Sequence, residues 1–239
     1  MESSKETTTR SANNGRTLVV MAKAPRPGTV KTRLTPILPV EAVTEFYRCL
    51  LHDTLALARS LSGVEVAIMC PAPDVKELRP FASEDVVVVA QKGEGLAAGL
   101  TSVFAQFAAG GRRIVAFNSD SPHLPASVLA SAFETLATHD VVIGPTHDGG
   151  YYLVGAKAAH PRFFDGDEMG TKSALDALLA RASELRLSVG FTEPFYDIDV
   201  EDDLTRLAAE LRLAPAKAPR TAAWLKQWER VVPVLRTGA

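Results

Sequence analysis

The chain has little cysteine, no long apolar run and almost no net charge. Two cysteines among 239 residues are too few for a disulfide framework and form no cluster of metal ligands. No apolar run approaches the ~20 residues that span a bilayer, so a membrane span is not expected. A net charge of −2 gives no overall basic field, and nucleic acid is therefore not an expected partner.

Three segments differ in composition. Residues 1–16 are polar and have no apolar core, so they predict a disordered tail rather than a secretory signal, and a cytoplasmic location follows by default. Residues 17–213 contain strand and helix patterns in turn, which predict one α/β domain. Residues 214–239 predict a linker and then an amphipathic helix, Thr221–Leu235, that docks on the domain or on a second subunit of a homodimer.

One stretch, RRIVAFNSDSPHLP at residues 112–125, changes from apolar to polar halfway along. Ile114 to Phe117 predict a buried parallel strand, and Pro122 ends it after a polar turn. Ligands of open α/β sheets bind just beyond the carboxyl ends of the strands. Asp120 in this turn is therefore a candidate ligand of a hard divalent cation. The alternative is that Asp120 only caps the next helix or bonds its own turn.

A basic loop, KAPRPGTVKTR at residues 23–33, follows the first predicted strand, Thr17–Ala22. Its prolines stiffen the path, and Gly28 permits a positive φ or a close backbone approach. The loop contains no acid and four cations: Lys23, Arg26, Lys31 and Arg33. Such a concentration of charge favours a shared anion, for which a di- or triphosphate is the natural candidate, over a solvated basic surface. The glycine spacing excludes a Walker A element.

Two glycine-containing turns follow later strands. Residues 91–99 open a helix, but their G-x-G-x-x-x-G spacing excludes a dinucleotide fingerprint; the turn either offers backbone N–H groups to an anion or simply connects the two elements. Asp148–Gly150 form a turn before a returning strand. Its paired glycines leave room for a ligand, and Tyr151 or Tyr152 either flanks a ring or packs within the strand.

Acidic residues alternate near the end of the predicted domain. Phe195 to Val200 predict a last short strand, in which Asp197 and Asp199 share one face. A helix follows, Glu201–Leu213, so these acids also suit a helix N-terminus electrostatically.

Five motifs carry a family resemblance when they are taken together: AKAPRPGTVKTRL, FNSDSPHLP, VVIGPTHDGGYYLVG, MGT and DIDVEDDL. They occur in this order over residues 17–210 and resemble a bacterial glycosyltransferase family with the GT-A, nucleotide-diphospho-sugar transferase fold. Some members are linked to arsenosugar biosynthesis. The family is similar to small nucleotidyltransferases that act on molybdopterin or phospholactate. The resemblance implies a single-domain, three-layer α/β/α fold with a mostly parallel central sheet.

The resemblance also implies roles for individual residues. Asp120 and Asp199 correspond to the ligands of Mg²⁺ or Mn²⁺, and Asp148 to an element on the acceptor or sugar side. In a transfer reaction Asp148 is the candidate general base, and Lys31 is a second candidate catalytic residue. The nucleotide-binding set is Lys23, Arg26, Gly28, Lys31, Thr32, Arg33 and Ser119, and the acceptor or sugar side is Gly149, Gly150 and Tyr151. The chain departs from the family where residues 93–99 lack an arginine and where Met169 replaces a tryptophan.

Three functions compete on this evidence. The first is a metal-dependent glycosyltransferase that uses a nucleotide-diphosphate sugar and a small-molecule acceptor. The second is a nucleotidyltransferase that joins an NTP to a phosphorylated small molecule and releases pyrophosphate, which the four-cation loop favours. The third is a non-catalytic nucleotide-binding protein, against which the presence of both Asp120 and Asp199 argues.

Overall fold

A computed structural model describes residues 15–232. Within this range seven strands form one sheet: β1 Arg16–Met21, β2 Glu65–Cys70, β3 Val87–Ala90, β4 Arg113–Asn118, β5 Val141–Pro145, β6 Tyr151–Ala156 and β7 Val189–Phe191. The strand order is β3-β2-β1-β4-β6-β5-β7. Strand β6 runs antiparallel to β4 and β5, and every other neighbouring pair is parallel. The sheet is therefore mostly parallel, as predicted.

Helices connect most of these strands. The α-helices of the described residues are α1 Val40–Arg59, α2 Val75–Leu78, α3 Gly95–Phe107, α4 Ala126–Thr138, α5 Ala174–Glu184, α6 Glu201–Leu213 and α7 Pro219–Trp228. Short 3-10 turns lie in the connecting segments. They include Thr32–Leu34 in the basic loop and Asp167–Gly170 before α5. None of the described helices is both long enough and apolar enough to cross a membrane.

The side chains of the central strands alternate between the two faces of the sheet. Leu18 and Val20 of β1 pack with α1 and α4 on one face, whereas Val19 packs with α3 and α5 on the other. Because successive side chains of a strand point to opposite sides, an all-apolar strand such as β1 is one that helices cover on both faces. This arrangement confirms the predicted three-layer α/β/α architecture.

Helix α1 has a second apolar side, on which the C-terminal part of the described chain packs. Phe46 of α1 lies in a core formed with α6 and α7, and its ring centroid is 4.8 Å from that of Trp224. Buried Asp53 of α1 accepts hydrogen bonds of 2.8 Å from both the N–H and the hydroxyl of Thr221. Helix α7 thus docks on the body of its own chain.

The last strand is not where the sequence pattern predicts it. Phe195–Val200 are not a strand, although Phe195 forms an isolated bridge to Thr146. The edge strand is instead β7, whose middle residue is Gly190. A Cβ at Gly190 would collide with the Thr135 side chain of α4, so close packing against this helix requires glycine there. The glycine weakens the strand pattern of residues 189–191, and this explains why the sequence does not predict β7.

The helices near the end of the chain, and the two ends of the described range, complete the picture. Helix α5 begins at Ala174, after a turn in which the Thr171 hydroxyl donates to the Glu168 carbonyl. Helix α7 ends at Trp228, although the sequence predicts a helix as far as Leu235, because Pro233 disfavours helical backbone in the residue before it. The predicted disordered tail lies almost wholly in residues 1–14, and the last part of the predicted terminal helix in residues 233–235. Both of these segments lie outside the described residues.

Asp53→Ala should lower the free energy of unfolding by about 2–3 kcal/mol, because it leaves the buried donors of Thr221 without an acceptor. Urea denaturation measures the change. Glu45→Ala, an exposed position on the same helix, is the matched control and should change the free energy by less than about 0.5 kcal/mol. Equal effects of the two substitutions would mean that Asp53 does not hold α7.

Candidate functional site

A cavity of about 1050 Å³ lies where β1, β2, β3 and β4 end. The segments that follow these strands line it, and Gly170 adds a wall from the turn before α5. Because β1 to β4 are parallel, their carboxyl ends meet at one edge of the sheet. Of the predicted site residues, seven line this cavity: Lys23, Lys31, Thr32, Arg33, Ser119, Asp120 and Asp199.

Lys31 joins two acidic segments at the centre of the site. Its Nζ lies 2.6 Å from Oδ2 of Asp120 and 2.8 Å from Oδ1 of Asp199. The Lys31 side chain is only 5% exposed. Burial opposes its charge, but the two carboxylates outweigh burial and hold the pKa of Lys31 above its usual range. Lys31 is therefore a charged group inside the protein, stabilised by two acids distant in sequence.

A third carboxylate, that of Asp197, completes an acidic cluster. Oxygens of Asp120, Asp197 and Asp199 lie within 4.8 Å of one another. Burial raises the pKa of Asp197 to about 6; the Lys31 charge works against this, and the other two carboxylates add to it. For Asp199, burial favours the neutral form, but the Lys31 charge prevails and lowers its pKa. Lys31 thus balances the charge of Asp120 and Asp199 by direct contact, and that of Asp197 less completely.

A chain of hydrogen bonds from α1 orients Asp120. The Tyr47 hydroxyl accepts from the Lys23 N–H at 3.1 Å and lies 2.9 Å from Ser119 Oγ, which donates to Asp120 at 3.2 Å. Burial, followed by the Asp120 charge, raises the pKa of Tyr47 to about 12, so its hydroxyl keeps its proton at neutral pH. The buried tyrosine fixes one side of the Asp120 turn.

The segment that carries Asp199 is held from two directions. The Asp203 carboxylate, in the first turn of α6, accepts from the backbone N–H groups of Asp199 and Val200 at 3.0 and 2.9 Å. The Ser121 hydroxyl donates to the Tyr196 carbonyl and so ties this segment to the turn after β4. Asp197 and Asp199 therefore meet Asp120 without forming a strand.

Most cations of the basic loop already have acidic partners. Arg26 lies 2.7 Å from Asp74 and 2.6 Å from Glu77, and it does not line the cavity as described. Within the described residues Lys23 is the one cation of the loop for which we find no ion pair. Three of the four cations thus have carboxylate partners within the protein, and the binding of an external anion by this loop stays a prediction. Gly28 has the predicted positive φ, 73°, and faces open space.

The turn at Asp148–Gly150 packs against residues 171–172. A Cβ at Gly149 would collide with the Lys172 carbonyl, so the chain itself fills the space beside this glycine. The Tyr151 hydroxyl donates to the Met169 carbonyl at 3.0 Å. In the described part of the chain, neither this turn nor Tyr151 lines the cavity. Its contacts instead support the 169–172 segment, which includes the lining residue Gly170.

Asp148 has structural partners within its own turn. Its Oδ1 accepts from the Thr146 hydroxyl at 2.6 Å and from the Gly150 N–H at 3.4 Å. The Thr146 hydrogen bond is the main cause that lowers the pKa of Asp148. A lowered pKa weakens a general base, so the catalytic role expected of Asp148 stays a prediction that its contacts do not favour.

Sequence reasoning did not select two residues of this site. The sequence distinguishes Asp197 only by its alternation with Asp199, and the same spacing brings both acids to the cluster. Tyr47 lies within the apolar repeat of α1 and is indistinguishable there from a core residue. Only the fold reveals that its hydroxyl meets Ser119.

Asp197→Asn should stabilise the metal-free protein at neutral pH. The folded-state pKa of about 6 exceeds the unfolded value of about 3.9, so ionisation of Asp197 destabilises the fold as pH rises through this window. In EDTA at pH 7.5, the melting temperature of the variant should be a few degrees above that of the wild type. Near pH 4 the two melting temperatures should be the same. Exposed Asp202→Asn is the control. A variant that melts below the wild type at pH 7.5 would contradict this assignment.

Comparison with protein families adds a sequence relationship. Residues 54–171, from the middle of α1 to the turn before α5, match the model of a family described as an uncharacterized protein conserved in bacteria (DUF2064). This match includes the Asp120 turn but neither the basic loop nor Asp199. No curated protein matches the chain in sequence.

Solved structures give the wider relationship. An inferred nucleotide-diphospho-sugar transferase from Desulfovibrio desulfuricans G20 is 25% identical, with a TM-score of 0.82 over 94% of this chain and 98% of that one. A cytidylyltransferase from Leptospira borgpetersenii is 11% identical, with a TM-score of 0.57 over 94% and 97%. The 4-diphosphocytidyl-2C-methyl-D-erythritol synthase from Anaerococcus prevotii is 10% identical, with a TM-score of 0.56 over 85% and 100%. The chain has the nucleotide-diphospho-sugar transferase fold.

Proposed function

We propose that this protein is a metal-dependent glycosyltransferase that uses a nucleotide-diphosphate sugar and a small-molecule acceptor. The observation that carries the proposal is the cavity at the strand ends, where Lys31 and Arg33 face the carboxylates of Asp120 and Asp199. Cations suited to phosphate and acids suited to a metal meet there at one point. The similarity to the D. desulfuricans structure, which extends over nearly both whole chains, supports the same reading.

The acidic cluster fits a divalent cation in its chemistry. Carboxylate oxygens are the ligands that Mg²⁺ and Mn²⁺ prefer, and three carboxylates within 4.8 Å offer enough of them. Asp120 and Asp199 also share a positive charge already, that of Lys31, so the site favours a cation. A bound cation would neutralise charge on the diphosphate leaving group. Asp120, Asp197 and Asp199 would hold it.

The residues of the loop would bind the leaving group directly. Lys31 and Arg33 donate to phosphate oxygens, and such charge-assisted hydrogen bonds stabilise a diphosphate as it leaves. Tyr47 and Ser119 hold the Asp120 carboxylate in one orientation. Asp148 as general base, and Gly149, Gly150 and Tyr151 as acceptor contacts, remain predictions for this reaction.

The ion pairs of the loop reduce the number of cations that face the cavity. Asp74 and Glu77 hold Arg26 away from the cavity, so one of the four cations in the sequence does not face the ligand. Three cations of the loop, Lys23, Lys31 and Arg33, still line the cavity. The loss of one cation weakens the charge argument for nucleotidyl transfer, but the remaining charge suits either ligand.

A nucleotidyltransferase is the second candidate. Its support is that structures named as a cytidylyltransferase and as a diphosphocytidyl-methylerythritol synthase share the fold. At 11% and 10% identity they indicate the fold alone, and the same metal and phosphate groups would serve either reaction. The two reactions are therefore distinguished by the products that they release, and not by the residues of the site.

Asp120→Asn should reduce metal-dependent turnover by roughly two orders of magnitude, because the amide keeps the shape of the side chain but loses the charge that binds the cation. The rate is measured over a Mg²⁺ or Mn²⁺ titration, and circular dichroism checks the fold. Asp202→Asn, exposed at the start of α6, is the control and should keep the wild-type rate. Wild-type turnover of Asp120→Asn at limiting metal would remove Asp120 from the metal site.

The reaction type is tested by the phosphorus products. A panel of NTPs, nucleotide sugars and hydroxylated or phosphorylated acceptors is supplied with Mg²⁺ or Mn²⁺ and followed by phosphorus NMR. We expect a nucleoside diphosphate to be released from a nucleotide sugar. Pyrophosphate from an NTP, with every nucleotide sugar intact, would favour the second candidate. Nucleotide binding without turnover of any compound would favour a non-catalytic protein.

A further inference from the structure

One ammonium group lies among the carboxylates that would bind a metal. Lys31 Nζ contacts Asp120 and Asp199, which are two of the three members of the acidic cluster. A divalent cation at the same oxygens would stand next to this ammonium. Like charges at contact distance repel strongly in a half-buried site, so both cannot contact the same carboxylate oxygens at once.

We propose that Lys31 is an internal counter-ion of the metal site, which a divalent cation must displace, and that the released ammonium binds the phosphates of the nucleotide. The inference rests on the proposed function and adds a coupling between its two ligands. Metal binding frees the lysine for phosphate, and phosphate binding removes the competitor of the metal. Each ligand therefore strengthens the binding of the other by the same factor.

The surroundings of Lys31 allow this exchange. An ammonium has three donors, and the contacts with Asp120 and Asp199 use two of them. Lys31 also lines the cavity, so a bound phosphate is within the space that its side chain borders. Its backbone has a φ of 47°, in the left-handed region that a lysine rarely adopts.

Arg33 and Lys23 differ from Lys31 in ways that make them suitable controls. Arg33 lies 3.0 Å from Asp199, but its side chain is 68% exposed and does not bridge two acids. Lys23 lines the cavity, and within the described residues we find no ion pair for it. Removal of either cation changes the local field of the site without vacating the space between Asp120 and Asp199.

The first test measures the affinity of Mn²⁺ alone by electron paramagnetic resonance. Lys31→Met should bind Mn²⁺ roughly tenfold more tightly than the wild type, or better. Lys23→Met and Arg33→Met should each change the affinity by less than about threefold. Equal or weaker binding by Lys31→Met, with Mn²⁺ bound by the wild type, would overturn this inference and leave the proposed function intact. Absence of Mn²⁺ binding in every variant would overturn both.

The second test follows the wild-type chain as metal is added, so its main measurement does not depend on the folding of a variant. A buried, hydrogen-bonded ammonium exchanges its protons slowly, and ¹⁵N NMR of lysine side chains should detect one such signal in EDTA. The signal should disappear when Mg²⁺ saturates the site, and Asp120→Asn should weaken it before any metal is added. A protected ammonium signal that persists at saturating Mg²⁺ would show that Lys31 stays in place, against the inference.

Discussion

The site depends on one buried charge, the ammonium of Lys31 between Asp120 and Asp199. These residues belong to the loop after β1, the turn after β4 and the segment before α6, which are distant in sequence. An unpaired charge would be expensive to bury, so the three segments are stable together only while the carboxylates face the lysine. The arrangement is thus an electrostatic constraint on the fold as well as a candidate binding site.

The fold followed from the sequence where a strand or helix carries its own pattern. Strands β1 and β4 are continuous apolar runs and α1 repeats its apolar residues every three or four positions, because helices or the sheet cover these faces. Strand β7 escaped prediction since Gly190 serves the packing of α4 rather than the strand. Phe195–Val200 has an alternating pattern, but its alternation brings acids to a cluster instead of side chains to a sheet face.

The site was predictable in its location and less so in its partners. A polar turn after an apolar strand marks Asp120, and a stiff basic loop marks Lys31, because both are local signals. Ion pairs such as those of Arg26 with Asp74 and Glu77 join residues about 50 positions apart, so no local sequence pattern predicts them. The same is true of the glycine turn at 148–150. Contacts between distant parts of the chain show that this turn and Tyr151 support the 169–172 segment.

The charges of the acidic cluster are not evenly satisfied. Lys31 contacts Asp120 and Asp199, and Arg33 adds a second cation at Asp199. Within the described residues we find no ion pair for Asp197, and burial raises its pKa to about 6. A carboxylate that is buried beside other carboxylates without a cation of its own attracts either a proton or a metal. Asp197 is therefore the member of the cluster whose need for positive charge is unmet, and the one at which an entering cation gains most.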